Sequence, residues 1–245
     1  MTTATLPLTV ARPRWRRAAR SLRRHPMLYV GCAILVALAV MALAAPWLAT
    51  VDPQDINPMA RMKPPSAEHL FGTDALGRDV YSRTVWGARI SLLVGVVVAL
   101  AATVGGVLLG MLAGYFRRLD ALIMRIMDGL MAIPGVLLAI ALMATLKGGL
   151  GTVIVAIVVP EIPRVVRLVR ALVLTIREQP YIEAAVASGT RVPAILLRHI
   201  LPNLFAPLMV QATFIAASAI LTEAVMSFLG AVSYTHLTLP TILLV

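Results

Sequence analysis

The stretch ISLLVGVVVALAATVGGVLLGMLAG, residues 90–114, runs for 25 residues without one charged side chain. A helix of that length is about 37 Å long, enough to cross a hydrocarbon layer of about 30 Å. Only a helix pairs all its own backbone N–H and C=O groups inside lipid. The run is therefore read as a membrane span. Working outward, residues 27–50, 121–146, 151–174 and 203–229 are also long and predominantly apolar, though all but the first hold charged side chains, which makes five spans. The whole chain agrees: 60% of its 245 residues are hydrophobic and 13% charged, with a mean hydropathy of +0.89. Soluble domains are roughly half apolar and a quarter charged.

The formal net charge of +11 does not mark a nucleic-acid binder, because the basic residues lie between apolar runs and not on one solvated face. Residues 27–50 follow an arginine-rich leader but are too long for a signal peptide, and Ala44, Ala45, Pro46 and Trp47 read as an interfacial helix end. The single cysteine, Cys32, lies inside an apolar run, so neither an internal disulfide nor a cysteine metal site is possible. Paired carboxylates with a base, H-E-x-x-H and G-x-S-x-G are all absent from the sequence, which argues against a membrane enzyme.

Cytoplasmic loops retain lysine and arginine, and this sets the expected orientation. The leader, residues 1–26, holds Arg12, Arg14, Arg16, Arg17, Arg20, Arg23 and Arg24 with no acidic residue, so the N-terminus is expected inside. Residues 51–88 mix Asp52, Asp55, Glu68, Asp74 and Asp79 with four basic residues, which fits the outside. Arg117 and Arg118, and later Arg164, Arg167, Arg170, Arg177, Arg191 and Arg198, return the chain to the cytoplasm.

The cytoplasmic stretch near residues 178–203 carries the most information. Pro180 and Gly189 punctuate a short helix, Pro193 starts a second, and Pro202 marks the beginning of the fifth span. On physical grounds an ordinary surface hairpin and a docking element stand level. The order Glu183, Ala184, Ala185, then Gly189, then Leu201 and Pro202 resembles the EAA loop of permeases from ATP-binding-cassette (ABC) importers. Histidine at 199 departs from the general isoleucine of that motif, but Arg198-His199-Ile200-Leu201-Pro202-Asn203 resembles the dipeptide, oligopeptide and nickel branch. So do Phe71 to Asp79, Gly87 to Leu92, Ala132-Ile133-Pro134 and Ser227-Phe228-Leu229-Gly230, and the likeness covers residues 25–230.

The resemblance implies an all-α, polytopic transmembrane bundle with a type I importer permease core and an extra N-terminal span. It implies a bacterial or archaeal inner membrane, and import by alternating access. The implied partners are membrane lipid, a second homologous permease, cytoplasmic ATPase subunits and an outer solute-binding protein. It further implies that Glu183, Ala184, Ala185, Gly189, Leu201 and Pro202 form the loop that docks on the ATPase. No G-x-x-x-x-G-K-[ST] loop is present, so ATP and Mg2+ are expected in the partner and no cofactor in this chain. The likeness does not choose between peptides, nickel and other small solutes.

Three carboxylates lie within apolar runs, where ionisable groups are costly. Asp128 stands three residues after Arg125, Glu161 three before Arg164, and Glu223 has no local partner. Pathway lining and a structural hydrogen bond are both open for them. An ion-coupled secondary transporter, working through Asp128, Glu161 or Glu223, is the alternative function. The segment from Phe71 to Asp79 is read as a structural turn in preference to a phosphate or cation loop. Gly105, Gly106 and Gly110 are read as packing glycines, and Pro160, Pro163 and Pro207 as sites where kinks are tolerated.

The expected organisation is a basic leader at 1–26, a first span with an outer segment at 27–88, a permease core at 89–230 and an atypical tail at 231–245. The tail is too short to span and does not look like the family, so it is read as foreign sequence in place of a missing sixth span.

Overall fold

The computed structural model describes residues 26–146 and 149–228. The expectations placed on the leader and on residues 229–245 lie outside the described residues. What is described is helical apart from turns and one isolated bridge between Thr73 and Asp79. Residues up to Arg89 and those from Ile90 onward form two compact units.

In the first unit α1, Pro26–Leu48, exposes Ile34, Leu35, Val40 and Leu43, as a lipid-facing helix does. The chain then folds back through a segment held by side chains bonding to backbone. The Asp74 carboxylate accepts from the backbone N–H of Leu76 at 2.8 Å and of Arg78 at 3.0 Å, and from Arg78 Nε at 2.8 Å. Arg83 also reaches it. Burial alone would raise the Asp74 pKa, but these donors outweigh burial and hold it at about 2. Asp79 caps α2, Val80–Tyr115, by accepting from Ser82 N at 2.8 Å, and lies 3.0 Å from His69 Nδ1. Its pKa is also lowered, with burial again opposed by Ser82 and His69. Gly72 and Gly77 take φ of +74° and +77°, and an added Cβ at Gly77 would collide with the Asn57 carbonyl. This is a self-bonded turn.

In the second unit α2 packs on α5, Leu150–Arg177, along a seam of matched spacing. Gly106, Gly110 and Gly114 stand one turn apart on α2, opposite Val165, Val169 and Val173 on α5. Each of these valines is fully buried. A Cβ on Gly110 or Gly114 would lie 2.6 Å from the facing valine Cβ, and one on Gly106 would overlap Val165. The glycines are holes and the β-branched valines fill them. Gly105 is looser, 3.7 Å from Ile162. Nearer the start of α2, an added Cβ at Gly95 would meet Ile220 and the Ala216 carbonyl of α8, Leu201–Phe228. Ile157, Ile195, Ile200, Leu204 and Ile215 complete the core.

Two of the expected spans differ from the sequence reading. Residues 121–146 are not one straight helix: α3, Arg117–Met131, and α4, Gly135–Thr145, meet at 89°. Pro134 causes the break. It has no N–H to donate, it disfavours helix at Ile133, and its own ψ of 128° turns the chain before α4 begins. The fourth, α5, runs unbroken through Pro160 and Pro163, but Glu161, Arg164, Arg167 and Arg170 interrupt its apolar character. By length and composition Tyr29–Leu48, Val80–Tyr115 and Val192–Phe228 are long and apolar enough to cross a membrane, and the bent α3–α4 pair makes a fourth if it is one span.

Candidate functional site

Helix α6, Pro180–Ala187, begins with proline at its first position, where the missing N–H has no intrahelical partner to lose. It ends in a hydrogen-bonded stop. Gly189 N donates to Val186 O at 2.9 Å and Thr190 N to Ala185 O at 3.1 Å. Those two bonds make a Schellman motif, whose penultimate residue must take left-handed backbone; Gly189 does so at φ +74°. The helix is tethered by Ile182, which is buried with Ile195 and Ile200. Tyr181 receives a bond from Asn203 Nδ2 at 3.3 Å, and the same nitrogen donates to His199 O at 2.6 Å.

With Ile182 turned inward, Glu183, Ala184 and Ala187 are exposed on the side away from it, Val186 is exposed one turn further along the Ile182 side, and Ala185 is half-buried. Glu183 has no ion pair or side-chain hydrogen bond among the described residues. After Gly189 the chain turns into α7, Val192–Ala194, a π-helical stretch over Ile195–Ile200, and α8, so that Val192–Phe228 is one continuous helix. The helix that carries the fifth span thus starts well before Pro202, not at it. The wide turn lets the helix pass this proline: Leu201 N bonds back to Leu196 O, five residues earlier, where an α-helical turn would press the Pro202 ring on the Arg198 carbonyl. Leu201 is half-buried and Pro202 exposed.

The structure places the three carboxylates in different settings. Asp128 does not pair with Arg125; its partner is Arg167 of α5, at 2.7 Å. A second bridge, absent from the sequence reading, joins Asp120 of α3 to Arg170 of α5, with Nη2 at 2.6 Å from Oδ2. The only sequence signal for either is that the arginines recur every three residues along α5. Glu161 is buried and accepts twice from Nη1 of Arg164, at 3.0 and 3.2 Å. It lines a cavity of about 270 Å³ where the α3–α4 bend faces α5 and α8, together with Arg164, Ser218 and Thr222. Glu223, also buried, accepts from the Ser91 hydroxyl of α2 at 2.9 Å. Among the described residues no three His, Cys, Asp or Glu side chains gather to hold a metal.

Residues 106–243 match the family described as "Binding-protein-dependent transport system inner membrane component", and residues 13–65 match the "N-terminal TM domain of oligopeptide transport permease C". The chain is 54% identical to the "Probable peptide ABC transporter permease protein" of Sinorhizobium fredii, covering 86% of this chain and 72% of the relative. It is 43% identical to the dipeptide transport system permease protein of Alkalihalophilus pseudofirmus, over 88% of this chain and 71% of that one. Identity to the oligopeptide transport system permease protein of Bacillus subtilis is 38%, again over 88% and 71%. These matches favour the ABC reading over the ion-gradient alternative. The chain belongs to the family of inner-membrane components of binding-protein-dependent transport systems, and is a membrane-spanning permease subunit of an ABC importer.

Proposed function

We propose that this subunit imports short peptides or a similar small solute by alternating access, together with a second permease, an outer solute-binding protein and cytoplasmic ATPases that bind ATP and Mg2+ and hydrolyse the ATP. The peptide reading rests on the names of the relatives. The N-terminus and the loop containing α6 face the cytoplasm in this reading, and the turn of residues 71–79 faces outward, as the arginine distribution favours. The observation that carries the coupling role is the solvent-facing side of α6. It offers small alanines and an unpaired Glu183 on a helix fixed from behind by Ile182. Small side chains let a partner surface approach closely, and the carboxylate can take charge-assisted bonds from it.

The test is Glu183→Lys, in the assembled transporter, with uptake, ATPase stimulation and ATPase-subunit pull-down measured at matched membrane abundance. An exposed residue without partners tolerates substitution within about 0.5 kcal/mol, so the chain itself is expected to stay folded and inserted. Uptake is expected to fall, with loss of the ATPase subunit or with hydrolysis uncoupled from transport. Wild-type values in all three assays would make this loop an ordinary surface hairpin.

A further inference from the structure

The cavity at the α3–α4 bend has an unequal use of its charged pair. Arg164 spends a single nitrogen, Nη1, on both oxygens of Glu161. Its Nε and Nη2 make no hydrogen bond or ion pair among the described residues, although a guanidinium carries five N–H donors in a fixed fork. The Arg164 side chain is 48% exposed, whereas that of Glu161 is 9% exposed, so the carboxylate is set inside and the guanidinium is held at the opening. The Nε–Nη2 edge of such a fork matches the two oxygens of a carboxylate. Hydroxyls of Ser218 and Thr222 line the same space, and Ile133 and Val136 on its rim are exposed.

We infer that Arg164 is a solute subsite of the importer, binding the free C-terminal carboxylate of a short peptide in the cavity at the α3–α4 bend, with Glu161 as its positioning residue. This rests on the peptide-import reading above. The size of the space fits a terminus better than a whole solute: about 270 Å³ falls below the roughly 300–1,000 Å³ of sites that enclose drug-sized ligands. Its charges suit the same ligand. A guanidinium already neutralised by Glu161 does not repel the ammonium of a zwitterionic peptide, yet still offers directed donors to the carboxylate. The apolar remainder of the wall, Leu130, Ile133 and Ile157 among it, imposes no polar demand on the last side chain.

The experiment uses the complete importer in proteoliposomes with saturating binding protein, and compares initial uptake of trialanine with that of trialanine amide. The variants are Arg164→Gln, Arg164→Lys and Glu161→Gln. Wild type is expected to favour the free acid by roughly tenfold or more, as a site built around a charged bond rejects an analogue that cannot make it. Arg164→Gln is expected to lose that preference by slowing the acid far more than the amide. Arg164→Lys should keep part of the preference, because the charge remains and the fork is gone. Glu161→Gln should weaken it less than Arg164→Gln does. An unchanged acid-to-amide ratio in Arg164→Gln would overturn the subsite, and so would equal loss of both solutes in the glutamine and lysine variants, which marks a structural role. ATP-dependent transport with no uptake of either peptide by wild type would overturn the peptide reading itself, and this subsite with it.

Discussion

At Gly110 an added methyl carbon would sit 2.6 Å from Val169 Cβ, whereas at Gly189 the same carbon meets nothing within 4 Å. The two positions need glycine for separate reasons. Along the α2–α5 seam the backbone is ordinary helix and the constraint is space. After α6 space is free and the constraint is torsion, a φ of +74° that side chains with a Cβ adopt at a cost. The seam fixes two long helices against each other, and the Schellman stop orients a short helix whose outer face stays open. One region therefore carries stability and the other carries a surface.

The largest effect is expected in the seam. Gly110→Ala should destabilise the purified subunit by about 1–3 kcal/mol, and Gly110→Leu by more, because a close-packed interior cannot absorb the added volume. Val169→Gly alone removes the facing Cβ with its methyl groups and costs stability too, but combined with Gly110→Ala it should recover part of the loss, because the carbon 2.6 Å from the added one is then gone. Thermal unfolding in detergent of the two single variants and the double variant reads this as a coupling energy. Additive losses would mean that Gly110 and Val169 do not oppose each other as the seam requires.

That register explains how much was legible beforehand. Residues 90–114 announced a helix, and Gly106 and Gly110 announced close packing, because both signals are local. Which residues fill the holes depends on how α5 lies against α2, and no spacing within either segment encodes it. The charged side chains teach the same lesson. Glu161 finds Arg164 three residues away, as helical geometry suggests. Asp128 passes over the equally near Arg125 for Arg167, 39 residues further along, because α3 and α5 pack face to face. Pro134 was visible, but its consequence for the 121–146 run was not. An apolar composition says that a segment prefers lipid and says nothing of whether it crosses in one piece. In the loop near residues 178–203 the punctuation by Pro180, Gly189 and Pro193 was readable because each acts on its own backbone. Pro202 misled, since the π-helical turn that accommodates it leaves no mark in composition.

The turn of residues 71–79 combines the two demands, since Gly77 has both a positive φ and no room for a side chain. It adds a third dependence, on charge. Asp74 and Asp79 both have folded pKa values below that of a free carboxyl, so their contribution is present in full above about pH 4. It is expected to be lost as the pH falls toward about 2, when Asp74 takes up its proton. Hydrogen exchange across this turn, followed from pH 6 downward by mass spectrometry, should show it loosening over that interval while the α2–α5 seam stays protected. Asp74→Asn should loosen the turn already at neutral pH and flatten the response. A turn equally protected at both ends of the range would mean that its glycines, and not its carboxylates, hold it.

The smallest effect is expected at Gly189, and its pattern separates torsion from docking. Gly189→Ala should cost the isolated subunit about 1 kcal/mol, the penalty for a Cβ in left-handed backbone. Gly189→Asn should cost less, because asparagine is the other residue that helices accept at this position. Neither value contains a steric term, since the space beside Gly189 is open in the chain on its own. In the assembled importer that space is expected to be taken by the ATPase subunit. Asparagine, bulkier than alanine, should then be the worse of the two for subunit association while remaining the milder for stability. Thermal unfolding of the isolated subunit and pull-down of the ATPase, performed on the same pair of variants, should therefore rank them in opposite order. If both assays rank them alike, Gly189 serves only to end α6, and the partner does not come close to this point of the loop.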